Sequence, residues 1–116
     1  MGDAIRLYWK PTCVGCRRAR WFLQDLGVSF EERDVIKNPL TLEELDQLIG
    51  TANPAQFFSP KNPKVKSKGY VQNTPPRAEV LQILAADSNL LRRPIVTLGS
   101  RLVVGWDEKQ LKALLA

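Results

Sequence analysis

Apolar positions change their spacing several times along the chain, and each change marks an element. Ala4 to Tyr8 is a short apolar run of strand length, broken by Lys10-Pro11-Thr12. A helix then fits from Cys13 or Val14 to Leu26. Ala19, Phe22, Leu23 and Leu26 recur at i, i+3, i+4 and i+7, while Arg17, Arg18, Arg20, Gln24 and Asp25 take the other sides. Gly27 is a natural stop. Val28 to Val35 alternates as a second strand would, and Asn38-Pro39 punctuates it.

Thr41-Leu42-Glu43-Glu44 is a capping-box pattern that opens a helix. Its predicted buried stripe is Leu42, Leu45, Leu48 and Ile49, with Gly50 at the end. Residues 51–75 are rich in Pro, Asn, Lys and Ser and read as a long excursion holding at most a short helical turn. Thr74-Pro75-Pro76 starts the next helix, expected to bury Ala78, Leu81, Leu84 and Ala85. Ile95–Leu98 and Arg101–Val104 read as a hairpin across Gly99-Ser100. Asp107 caps a last helix with Leu111, Leu114 and Leu115 facing inward. The predicted order is β-α-β, then helices, then β-β-α, an α/β arrangement.

The 116 residues suffice for one domain, 1–116, with a helical insertion at about 41–86. A content of 44% hydrophobic and 25% charged residues is that of a globular chain, not of a disordered or disulfide-rich one. No apolar run is long enough for a membrane helix, and Met1-Gly2-Asp3-Ala4-Ile5-Arg6 lacks a secretory pattern. The expected location is therefore the cytoplasm, where thiols are kept reduced and two nearby cysteines are seldom a permanent staple. A net charge of +5 is compatible with an acidic partner without requiring one. Much of it sits in residues 55–78, where Lys61, Lys64, Lys66, Lys68 and Arg77 meet no acid. This stretch reads as a solvated basic loop. It lacks the interleaved aromatics of a single-strand binder, so no direct nucleic-acid binding is expected. Phe57 and Phe58 read as core of the insertion.

The candidate chemistry is Cys13-Val14-Gly15-Cys16. The pair follows the first strand directly and opens the first helix. A helix start carries roughly half a positive charge and unpaired N–H groups, and Lys10, Arg17 and Arg18 add charge nearby. All of these favour a thiolate at Cys13, the form that attacks. Cys16 lies one turn later and can resolve a mixed disulfide or sulfenic acid formed at Cys13. The bland alternative, two small buried hydrophobes, fits this strand–turn–helix context less well. A structural zinc site needs four ligands, and the chain offers two sulfurs and no histidine, so no metal is expected. Arg93-Pro94 precedes the Ile95 strand. In a thioredoxin-like fold that proline is typically cis and faces the dithiol, which would set Arg93 near Cys13 as an anion-binding residue.

Three blocks together resemble the arsenate reductase (ArsC-type) and Spx family. They are Thr12-Cys13-Val14-Gly15-Cys16-Arg17-Arg18-Ala19-Arg20, Leu90-Leu91-Arg92-Arg93-Pro94-Ile95-Val96 and Leu98-Gly99-Ser100-Arg101-Leu102. The resemblance covers nearly the whole chain and implies a thioredoxin-like (glutaredoxin-like) fold with a helical insertion. It implies one of two functions. The first is a thiol–disulfide oxidoreductase related to the glutaredoxin-linked arsenate reductases. Cys13 would be its nucleophile, Cys16 the resolving thiol, Arg93 and Lys10 its anion-binding residues, and Pro94 and Thr12 its groove. No bound cofactor is implied; glutathione would be a co-substrate, or glutaredoxin or thioredoxin the electron donor. The second is an Spx-like regulator that binds RNA polymerase, at the C-terminal domain of its α-subunit, and uses the dithiol as a switch.

The chain departs from both patterns. Trp9 stands about where the reductases place a His, and they generally lack a second Cys at the position of Cys16. Two of their three arginines fall near Ser59-Pro60 and at Val104; only Arg93 carries over. Each lost charge-assisted hydrogen bond costs roughly 1.5–3 kcal/mol, so arsenate is expected to be held and reduced poorly. Against the Spx pattern, Thr51-Ala52-Asn53-Pro54-Ala55 does not clearly keep the glycine used to contact polymerase, and Phe57-Phe58-Ser59-Pro60 also differs.

Overall fold

The computed structural model describes residues 4–116. Its contacts divide the chain into two compact units, Met1–Val35 with Arg93–Ala116, and Ile36–Arg92.

The first unit is built on a four-stranded mixed sheet in the order β2-β1-β3-β4. Strand β1 (Ile5–Trp9) pairs in parallel with β2 (Phe30–Asp34) and antiparallel with β3 (Ile95–Leu98), which pairs antiparallel with β4 (Arg101–Val104). The second strand is shorter than the alternation predicts because its ladder starts where β1 starts, at Ile5 opposite Phe30. Val28 still packs on the core, and Val35 is buried with its amide donating to the Trp9 carbonyl at 3.1 Å. The hairpin is as expected. Leu98 pairs with Arg101 across two residues, and Gly99 takes the positive φ of 62° that such a short link requires.

Helix α1 (Val14–Asp25) buries Cys16, Ala19 and Leu23, and helix α5 (Glu108–Leu115) buries Leu111 and Leu114. Apart from Cys16, these side chains join Leu7, Val96 and Val103 in one apolar cluster, with Phe22, Trp106 and Leu115 packed against it. Leu26, expected on the buried stripe, is 51% exposed, because it lies at the helix cap beyond Leu23, the last α1 residue fully buried in the cluster. Asp107 caps α5 by accepting from the Gln110 amide at 3.0 Å, and Arg101 Nη2 donates to the Leu114 carbonyl at the other end.

The second unit is helical. Helix α2 (Leu42–Ile49) has both bonds of its capping box: Glu44 N–H to Thr41 Oγ1 at 3.1 Å and Thr41 N–H to Glu44 Oε1 at 3.0 Å. Its buried face is Leu45, Leu48 and Ile49. Leu42 is 48% exposed instead, since it occupies the first helical position, ahead of the turns that are covered. Residues 51–75 hold more helix than predicted: a 3₁₀ turn at Pro54–Phe57 and helix α3 (Pro63–Lys68). Each starts at an Asn-Pro pair. The Asn side chain accepts backbone amides, Ala55 at 3.1 Å for Asn53, and Lys64 at 2.9 Å for Asn62, while proline fills the first helical position.

Helix α4 (Arg77–Ala86) buries Leu84 as expected, but its other buried residue is Val80; Ala78 is exposed and Leu81 and Ala85 are half-buried. Apolar residues surround this helix, so their spacing does not select one side. Arg77 is not part of a solvated basic loop. It donates to the Gly50 carbonyl at 2.8 Å and pairs with Asp46 at 2.7 Å, tying α4 to the end of α2. Phe57 and Phe58 are fully buried, as predicted. Their backbone joins that of residues 90–92 through an antiparallel bridge between Phe58 and Leu91.

Candidate functional site

The break after β1 puts Cys13 at the N-cap of α1 with an extended backbone, φ −89° and ψ 122°. Its own amide donates to the Lys10 carbonyl at 3.1 Å, which closes the turn. Its sulfur accepts from the Cys16 amide at 3.3 Å, so Cys13 does with Sγ what Ser or Asp does at other helix starts. The first turn of α1 contains no acidic residue. Cys13 is half-buried and Cys16 fully buried; both are free thiols.

The two sulfurs differ in electrostatic setting. Burial pushes the Cys16 thiol up to about 12, helped by a hydrogen bond to Cys13 and by the charge of that sulfur. A backbone hydrogen bond from Lys10 and the Arg93 guanidinium act in the opposite sense but do not prevail. Cys16 is therefore a neutral thiol at physiological pH. Arg93 thus acts on Cys16 through its charge.

The Arg93–Pro94 peptide bond is cis, as the sequence predicts. Pro94 is buried, and its carbonyl accepts from the Gly105 amide at 2.7 Å. Gly15, between the cysteines, faces this proline. A Cβ built at Gly15 would lie 3.6 Å from Pro94 Cδ and 3.3 Å from Trp106 Cβ. The second spacing is tighter than ordinary packing, so even a methyl group there requires its neighbours to move. Trp106 is in turn fixed edge-on against Phe22, with ring centroids 6.1 Å apart. Sequence reading missed Trp106. The only available signal was an aromatic directly after Gly105 at the end of β4.

The other sequence-predicted residues stand as follows. Lys10 closes the turn through its backbone and is half-buried; Thr12 is exposed and immediately precedes Cys13. Trp9 packs on the apolar cluster and carries Arg20 over its ring at 5.3 Å, while Arg20 forks onto Glu32 at 2.6 and 3.2 Å. Val104 is a half-buried aliphatic residue in β4. Among the described residues no group of three His, Cys, Asp or Glu side chains has the spacing of a metal site. None of the described helices is long and apolar enough to cross a membrane.

Comparison with known proteins agrees with this architecture. Residues 8–114 match the model of the ArsC family. The global transcriptional regulator Spx of Enterococcus faecalis is 34% identical over 113 residues, 96% of this chain and 86% of that protein. The arsenate reductase of Vibrio cholerae superposes with a TM-score of 0.84 at 18% identity, over 98% of this chain and 99% of that one. A glutaredoxin of Archaeoglobus fulgidus superposes with a TM-score of 0.50 at 22% identity, over 97% and 86% of the two chains.

Proposed function

Because the chain belongs to the ArsC family, we propose that it is a thiol–disulfide exchange protein in which Cys13 is the nucleophile and Cys16 the resolving thiol. The observation that carries this reading is the asymmetry of the pair: Cys13 half-buried at a helix N-cap, Cys16 buried, neutral and hydrogen-bonded to it. Cys13 attacks, as thiolate, one sulfur of a substrate disulfide, and the other sulfur leaves as thiolate. Cys16 then loses its proton and attacks Cys13 Sγ. The mixed disulfide breaks, the second substrate sulfur leaves, and a Cys13–Cys16 disulfide remains. The substrate has gained two electrons and the protein has lost two. A thiol donor returns them: glutathione, or the dithiol of a glutaredoxin or thioredoxin. The chain has no histidine to take the Cys16 proton, so the departing thiolate or water takes it.

Pro94 shapes the substrate groove beside Gly15, with Thr12 at its rim. Arg93 and Lys10 receive an anionic group of the substrate, such as a glutathione carboxylate. Arsenate fits this set poorly, with Val104 and Ser59-Pro60 where further arginines are needed. Turnover of arsenate with glutathione and glutaredoxin is expected to be weak or absent.

The test is trapping. Cys16→Ser should accumulate a stable mixed disulfide at Cys13 with glutathione disulfide, seen by mass spectrometry. A Cys16→Ser protein that stays unmodified would contradict the assignment.

A second reading is favoured by the Spx relatives. The same dithiol would act as a switch on a protein that binds RNA polymerase at the C-terminal domain of its α-subunit. A pull-down with that domain should then depend on the Cys13–Cys16 redox state, and a blank in both states would sink it.

A further inference from the structure

The outer face of α1 carries two exposed apolar side chains where water favours polar ones. Val14 is 56% exposed and Trp21 is 60% exposed, the most exposed large hydrophobic side chain among the described residues. They stand seven positions apart on a helix, so they share one stripe about 10 Å long. Val14 is the residue next to Cys13, and the stripe therefore begins at the reactive sulfur.

The charge between Val14 and Trp21 is positive, and Asp25, four positions beyond Trp21 on the same face, lies past the end of the stripe. Arg18 lies between Val14 and Trp21 on the same side, Arg17 borders it, and both are exposed. Among the described residues Arg18 has no acidic partner. Arg17 spends one nitrogen on the Pro11 carbonyl at 3.1 Å, which holds its guanidinium at the start of the helix. Arg20, by contrast, is turned onto Glu32 and belongs to the sheet side. The first acid on the helix is Asp25, in its last turn. An exposed tryptophan and valine flanked by two cations match an apolar side chain flanked by carboxylates.

We propose that this face of α1 docks an acidic protein segment that carries one apolar anchor beside its reactive sulfur, and that it selects the protein partner whose disulfide Cys13 attacks. The proposal rests on the dithiol reading for its chemistry and on Val14, Arg17, Arg18 and Trp21 for its recognition. The anchor covers Trp21, the carboxylates meet Arg17 and Arg18, and the partner's sulfur arrives over Val14 at Cys13. A small disulfide, too short to reach Trp21, gains nothing from this face.

The experiment uses two synthetic peptide disulfides of the same length, each with one leucine. One carries Glu at the flanking positions and the other carries Lys. Hydroxyethyl disulfide serves as the small neutral control. At low salt the acidic peptide should react with Cys13 about tenfold faster than its lysine counterpart or more, and the difference should shrink as salt is raised. Trp21→Ser should slow the acidic peptide severalfold and leave hydroxyethyl disulfide unchanged. Equal rates for the two peptides, or equal slowing of all three disulfides by Trp21→Ser, would overturn the proposal. Failure of the dithiol reading is told apart by two controls. Hydroxyethyl disulfide would then not react at all, whereas a fluorescent acidic peptide with Ser in place of Cys would still report docking by anisotropy. Absence of that binding in the wild-type protein would also overturn the proposal.

Discussion

The two units of the molecule are specified in different ways. In Met1–Val35 with Arg93–Ala116, a sheet and two helices meet in one apolar cluster, and the residues that define it are far apart in sequence. In Ile36–Arg92, α4 apart, short helical segments begin at side chains that cap them locally: Thr41, Asn53, Asn62 and, ahead of a 3₁₀ turn at Ser88–Leu90, Asp87. The first unit holds the dithiol and its cis-proline, where positions must be fixed to fractions of an ångström. The comparison teaches that the cysteine pair is positioned by the meeting of distant segments, whereas in the inserted part local caps set where each helix starts and a separate buried set, with Ile49, Phe57, Phe58 and Val80, holds the helices together.

The largest expected effect breaks this comparison most sharply. Cys13→Ser should reduce exchange with a small disulfide to background, while Lys64→Ala with Lys66→Ala in the second unit should leave the rate unchanged. Both follow from a single thiol-release assay. Next comes stability. Leu23 is fully buried in the cluster, and Leu23→Ala should cost about 2–5 kcal/mol in urea unfolding.

A smaller, pH-dependent effect belongs to Cys16. Its thiol stays neutral in the fold up to about 12, whereas in the unfolded chain it ionises near the free value of ~8.5. The stability tied to the neutral thiol is therefore complete below that unfolded value and is lost as pH rises toward the folded one. Cys16→Ala should flatten the fall of unfolding free energy over that range, relative to the wild-type protein. The smallest effect lies in the second unit. Asn62→Ala removes a cap and should cost about 1 kcal/mol. A cost as large as that of Leu23→Ala would contradict the contrast between the units.

What the sequence made legible follows the same division. Element order, the hairpin at Gly99-Ser100, the capping box at Thr41 and the cis bond before Pro94 were all readable, because each depends on local chemistry or on a motif. The Asn-Pro pairs at Asn53 and Asn62 were equally local, yet the same letters that break a chain also start a helix. The buried face of α4 was only partly readable, since Val80, Leu81, Ile83 and Leu84 surround it and only tertiary contact chooses among them. At the site, the Cys16 amide bonds Cys13 Sγ, and Arg93 acts on Cys16 through its charge. The close approach of Trp106 to Gly15 was not readable, because it joins two segments from opposite ends of the chain that only the folded sheet aligns.

The most direct test of the central claim is a redox titration of the Cys13/Cys16 pair, with free thiols trapped by alkylation and counted by mass spectrometry. The account predicts a reversible transition between a doubly alkylated protein and one that takes no label and has lost two hydrogens. Two thiols that stay labelled at every potential would make the pair structural and end the exchange mechanism.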